Sequence, residues 1–160
     1  MKSITIEYRN LSTSIDQHQA WCSRPSCFQD TVTLCLEAIR IDLSIGGRFQ
    51  IAKNLSNIGQ AYARLGDTSR ALSFMRRARE AHERFADQDS RADTLLCTSE
   101  ILLDAGDLDA AHTACLDAGA LVAVTGSVYD SIHERILRAL LARTSGDVQS
   151  AIVYAADARQ

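Results

Sequence analysis

Three copies of one punctuation mark recur at a fixed interval: Leu65-Gly66-Asp67, Ala105-Gly106-Asp107 and Ser145-Gly146-Asp147, with the same step from each copy to the next. Such a period marks a chain built from one supersecondary unit repeated along an array, because each unit buries its apolar face only against its neighbours. Within each mark the glycine can take the left-handed conformation that ends a helix. The aspartate can cap the next helix while matching the positive end of its dipole. Each Gly-Asp therefore predicts a tight turn between two helices.

Apolar residues at helical spacing precede each turn: Leu55, Ile58, Tyr62 and Leu65, then Leu95, Ile101 and Leu102, then Ile132, Ile136 and Leu140. After each turn a second set returns in register, with Ala71, Met75 and Ala78 followed by Ala111, Cys115 and Ala118 and by Ala151, Ala155 and Ala158. Small residues there let helices approach closely. One period backwards, Ala38 falls level with Ala78 and Cys35 with Met75, so 28–45 reads as a second helix ended by Gly46-Gly47. Its partner helix is expected over about 12–22, stopped before Pro25, and 1–8 has strand-like alternation at Ile4, Ile6 and Tyr8. The expected organisation is a single domain with a degenerate or capping repeat over 1–47 and repeats over 48–87, 88–127 and 128–160.

Composition agrees. A single proline and 6% aromatics argue against sandwiches and barrels, which need frequent turn punctuation and strand-forming aromatics. The formal net charge of -3 gives no general attraction to phosphate backbones, so nucleic acid is not an expected partner. No stretch reaches the eighteen apolar residues of a membrane span, and the start has no signal-peptide character, so the expectation is a cytoplasmic protein without a membrane partner. Five cysteines without a CxxC pair read as reduced thiols.

Leu55, Ile58-Gly59, Tyr62, Ala71, Met75 and Ala78 resemble the signature of the tetratricopeptide-repeat family, W-x2-LG-x2-Y followed by small, bulky and small positions. Leucine stands for the family's tryptophan and methionine for its phenylalanine. The later copies keep the register with other residues: Ser99 and Ala139 replace the glycine, and Leu102 and Ala142 the tyrosine. The family's usual repeat is shorter, about 34 residues. The extra residues here fall beyond the hairpin turn and lengthen the helices, as in arrays attached to large bacterial signalling proteins and transcriptional activators.

The resemblance implies an all-α fold of antiparallel helical hairpins stacked as a right-handed α-solenoid, with ligands along the concave face of the first helices. Carried over by register, the binding positions become Lys53, Ser56, Gln60 and Arg64, then Asp93, Leu96, Glu100 and Asp104, then His133, Ile136, Leu140 and Arg143. The family's carboxylate clamp for peptide C-termini needs lysine, arginine and asparagine at such positions. Ser56, Gln60 and Glu100 do not supply it, and a mixed basic-then-acidic groove suits a segment carrying both charges.

Reactive chemistry is sparse. No glycine-rich phosphate loop or kinase signature is present. His82-Glu83 and His133-Glu134 begin like zinc-protease helices, but Ala86 and Leu137 occupy the place of the second histidine. His82 therefore reads as an interface residue of its helix. His18, Cys22 and Cys27 have soft-ligand chemistry but lack a fourth ligand at structural spacing. Cys35, Cys97 and Cys115 read as small apolar fillers. Arg70, Arg76, Arg77, Arg79 and Arg84 crowd one helix, where Glu80 and Glu83 lie at pairing distance along a solvated face. No acid/base pair, activated nucleophile or cofactor loop can be assembled, so neither an enzyme nor a cofactor is expected. The expected function is a protein-interaction scaffold within bacterial signalling or transcriptional regulation, the alternative being a sensor of a peptide or small metabolite. The last helix offers Ala151, Ile152, Tyr154, Ala155 and Ala158 as an apolar edge for a further helix of a longer chain or for a second copy.

Overall fold

The computed structural model describes residues 25–46 and 48–158, which form seven α-helices and no strand. They are α1 (Pro25–Ile45), α2 (Arg48–Arg64), α3 (Thr68–Arg84), α4 (Gln88–Asp104), α5 (Leu108–Thr125), α6 (Val128–Thr144) and α7 (Val148–Asp157). The fold is all-α, with successive helices folded back as hairpins. The helix expected at 12–22 and the strand-like segment at 1–8 lie outside the described residues. Pro25 opens α1, a position where its missing N–H costs nothing and its fixed φ suits the first turn.

Capping repeats at half the predicted period. Asp67, Asp87, Asp107, Ser127 and Asp147 stand at equal spacing, and each side chain accepts a backbone N–H three positions on, from Arg70, Ser90, Ala110, Asp130 and Ser150. Each aspartate also ends the helix before it. The Asp67, Asp107 and Asp147 amides donate to the carbonyls of Tyr62, Leu102 and Ala142, each at 2.9 Å. One residue thus closes one helix and starts the next, which shortens the connection to a left-handed residue and a cap. Gly66, Gly106 and Gly146 supply the left-handed residue; before Asp87 it is Ala86, with φ 53°.

Two compact units divide the chain, one running up to Ala81 and the other from His82. In the first, α1 packs on α2 through Val32, Cys35, Ala38, Ile58 and Ala61, with Tyr62 and Phe74 against this core. Gly59 lies so close to α3 that a Cβ there would stand 3.1 Å from the Ala71 carbonyl oxygen and 3.1 Å from Met75 Cγ. In the second, Leu95 and Leu96 of α4, Ala111, Cys115 and Ala118 of α5, and Leu137 and Leu141 of α6 form one core. There α6 packs on both α4 and α5, and α7 on α6. Among the described residues no helix is long and apolar enough to cross a membrane.

Candidate functional site

The twelve register positions divide by burial. On α2, Lys53 and Arg64 are exposed and Gln60 half-buried, while Ser56 is buried and its hydroxyl points to Met75 Sδ at 3.7 Å. On α4, Asp104 is exposed and Asp93 and Glu100 are half-buried, while Leu96 is wholly buried in the core. On α6, Ile136 and Arg143 are exposed, and His133 and Leu140 half-buried. Ser56 and Leu96 therefore leave the set of accessible positions. Both occupy the same place in the period, and that place faces the second helix of its hairpin. Three positions on, Gly59 and Ser99 meet α3 and α5 from the same side. Ile136 shares this place. Arg143 stands one full period after Leu103 rather than after Asp104, one step off the register.

What remains forms a surface across two hairpins in the second unit. The first helices α4 and α6 adjoin, and Glu100 Oε2 lies 4.0 Å from His133 Nε2. Tyr129 meets the His133 ring edge-on at 6.4 Å, and the imidazole Nδ1 is buried without a hydrogen-bond partner among the described residues. The polar outlet of this ring is thus the Nε2 atom turned to Glu100. In the first unit, Lys53, Gln60 and Arg64 give α2 a basic and amide-bearing face.

Buried polar groups are structural in character. His82 Nδ1 lies 3.1 Å from Asp87 Oδ2, and burial pulls the ring below the ordinary histidine range although the Asp87 carboxylate opposes this. Fully buried and beside no nucleophile, it braces the turn where Ala86 is left-handed. Burial, helped by the nearby Glu134 carboxylate, pushes the Cys115 thiol up to about 11, so it stays protonated and unreactive. Cys35 and Cys97 are likewise buried thiols outside any disulfide. Cys27 is disulfide-bonded, against the expectation of reduced thiols throughout, and a bonded sulfur has no thiolate for the His18, Cys22 and Cys27 ligand set. His18 and Cys22 lie outside the described residues.

The arginine-rich helix α3 differs from the simple solvated face. Arg70 pairs with Asp67 at 3.2 Å and lies over the Tyr62 ring at 5.3 Å; Tyr62 stacks on Phe74 at 5.6 Å; Arg77 lies over Phe74 at 5.2 Å. Glu83 reaches Arg91 at 3.6 Å. Ion pairing along a helix is visible in sequence spacing, whereas an aromatic pair shared by two helices appears only once their packing is known.

A cavity of about 310 Å³ opens between α5, α6 and α7, walled by Leu108, His112, Cys115, Arg138, Leu141 and Tyr154. Arg138 pairs with Glu134 and lies 5.8 Å over the Tyr154 ring. Tyr154 therefore turns inward, while Ile152 and Val153 form the exposed apolar part of α7.

No family model matches the chain, and no curated protein matches it significantly. Among solved structures it is similar to BtubC (BKLC) from P. vanneervenii, with a TM-score of 0.72 and 15% sequence identity over 96% of this chain and 72% of that one. At that identity the likeness concerns the fold alone.

Proposed function

We propose that this protein is an interaction module of tetratricopeptide-like hairpins, working within a larger signalling or transcriptional system by holding a protein or peptide segment on the faces of its first helices. The observation that carries the reading is the Glu100–His133 contact, which joins the outer faces of α4 and α6. Along that face Asp93, Glu100 and Asp104 give an acidic stretch on α4, and Leu140 and Arg143 give an apolar and a basic position on α6. A segment carrying both apolar and basic groups complements it. The expected binding groups are Lys53, Gln60 and Arg64 on α2, and Asp93, Glu100, Asp104, His133, Leu140 and Arg143 in the second unit. Affinity capture from lysate with the wild type and an Asp93→Lys/Asp104→Lys variant tests this. A partner identified by mass spectrometry should be lost on charge reversal and kept by a Val124→Ser control; undiminished capture by the reversed variant would overturn the reading.

A second reading, a sensor of a small metabolite, rests on the cavity beside Arg138 and Tyr154, whose volume lies at the lower end of ligand pockets. Tyr154→Ala would abolish metabolite binding there and leave partner capture by the α4–α6 face intact.

A further inference from the structure

The internal period supplies a control for the outer side of α6 and α7. In the hairpin before it, Ala92 and Leu96 of α4 are both 0% exposed and Cys115 of α5 is 1% exposed. Helix α6 closes this place: its Glu134 carbonyl lies 3.9 Å from Cys115 Sγ, and Leu137 and Leu141 join Leu96 and Cys115 in one core. One period on, the same places hold Ile132, Ile136 and Ala155. Here Ile132 is 39% and Ile136 45% exposed, and Ala155 is also exposed. Val148 and Ile152 extend the apolar surface along α7. The larger isoleucines stand at the open places, where an ordinary surface would carry polar side chains.

We propose that this open side of the α6–α7 hairpin is the docking groove for an amphipathic helix of a partner, seated as α6 is seated on α4 and α5. The occupant carries leucines one helical turn apart, as Leu137 and Leu141 are, and carboxylates on its flank. Leu140 stands where Glu100 stands one period earlier, so the group matching His133 in the occupant is apolar. The acids of α6, Asp130 and Glu134, are buried, whereas Arg143 is exposed and Arg135 half-buried, leaving this side cationic. A second copy would bring the same cationic side, so an acidic helix complements it better. The groove shares the interaction-module class of the reading above but none of its face residues save those on α6.

The probe is a fluorescein-labelled, alanine-based helix as long as α6, with two leucines one turn apart and glutamates on one flank, titrated against the full chain by fluorescence anisotropy. Saturable binding is expected. Ile136→Asp or Ile132→Asp should weaken it by about tenfold or more, as a charge in the centre of an apolar contact does. Arg143→Glu should weaken it several-fold, and Asp93→Lys should leave it unchanged, which separates this groove from the α4–α6 face. These positions are exposed, so unchanged circular dichroism accompanies the losses. Absence of saturable binding to the wild type overturns the proposal, as does binding that survives Ile136→Asp. A dimer seen by light scattering that Ile136→Asp dissolves, with no probe binding, makes a second copy the occupant and also overturns it.

Discussion

The Ser99 hydroxyl donates to the Ala111 carbonyl at 2.8 Å, at the place where Gly59, one period earlier, lets its helix press against the Ala71 carbonyl. The two hairpins solve the same close approach differently. In the first, the absent side chain leaves room for Met75; in the second, the smaller Cys115 leaves room for a serine whose hydroxyl finds a carbonyl.

Gly59→Ser is accordingly expected to destabilise by about 1–3 kcal/mol, because its Cβ crowds both the Ala71 oxygen and Met75. Combining it with Met75→Cys should cost less than the two changes summed, by about 1 kcal/mol, since contacting sites couple. Ser99→Ala should cost about 1 kcal/mol for the lost hydrogen bond. Additive denaturation midpoints in the double-mutant cycle would show that the two hairpins are not packing equivalents.

The turn at Ala86 concentrates strain and restraint. A left-handed alanine costs about 1–2 kcal/mol, so Ala86→Gly should stabilise by about 0.5–1 kcal/mol after the flexibility glycine adds to the unfolded chain. Asp87→Ala should destabilise by about 2 kcal/mol, because Oδ1 caps α4 through Ser90 and Oδ2 holds the His82 ring. Urea titration of the two variants should move the midpoint in opposite directions.

Much of this fold is legible in the sequence because its signals are local. Gly-Asp at 66–67, 106–107 and 146–147 fixes three turns, and the alanines after them mark the helices that must come close. The turn at 86–87 lacks glycine, so the aspartate cap that halves the period is easily passed over. Register alone mapped the first-helix face, and it misplaced Ser56 and Leu96, since which side of a helix meets its hairpin mate depends on helix rotation. The Arg70–Tyr62–Phe74–Arg77 stack escaped for a related reason: it needs two helices in contact before any of its four side chains acquires a neighbour.

Tyr62→Ala tests that stack. The ring is half-buried, stacked on Phe74 and overlain by Arg70, so truncation should cost about 2–4 kcal/mol, somewhat less than for a fully buried aromatic. Arg77→Ala should cost only a few tenths of a kcal/mol, the worth of an exposed cation–ring contact. Equal losses in chemical denaturation would mean that the aromatic pair does not anchor α3 to α2.

The last expectation concerns pH. Asp42 of α1 is buried, and the Asn54 amide donates to its Oδ2 at 3.3 Å across to α2. Burial pushes the carboxyl from 3.8 up to about 6, against the smaller lowering effect of that hydrogen bond. The folded state therefore holds a proton that the unfolded chain has already released between these two values. Over that window the folded state binds more protons, so stability falls as pH rises. This contribution is fully present below 3.8 and lost above about 6. His82 acts in the other direction, since burial favours its neutral form and stability drains as pH falls below 6.5. The two effects oppose one another in the wild type and are separated by Asp42→Asn, which keeps the shape and removes the charge. The variant should match the wild type near pH 4 and exceed it near pH 7 by about 1–3 kcal/mol, the size of a two-unit shift or less. Denaturation curves at both pH values decide it: a wild-type advantage at pH 7 would mean that the Asp42 carboxylate is a favourable partner of Asn54 rather than a buried charge.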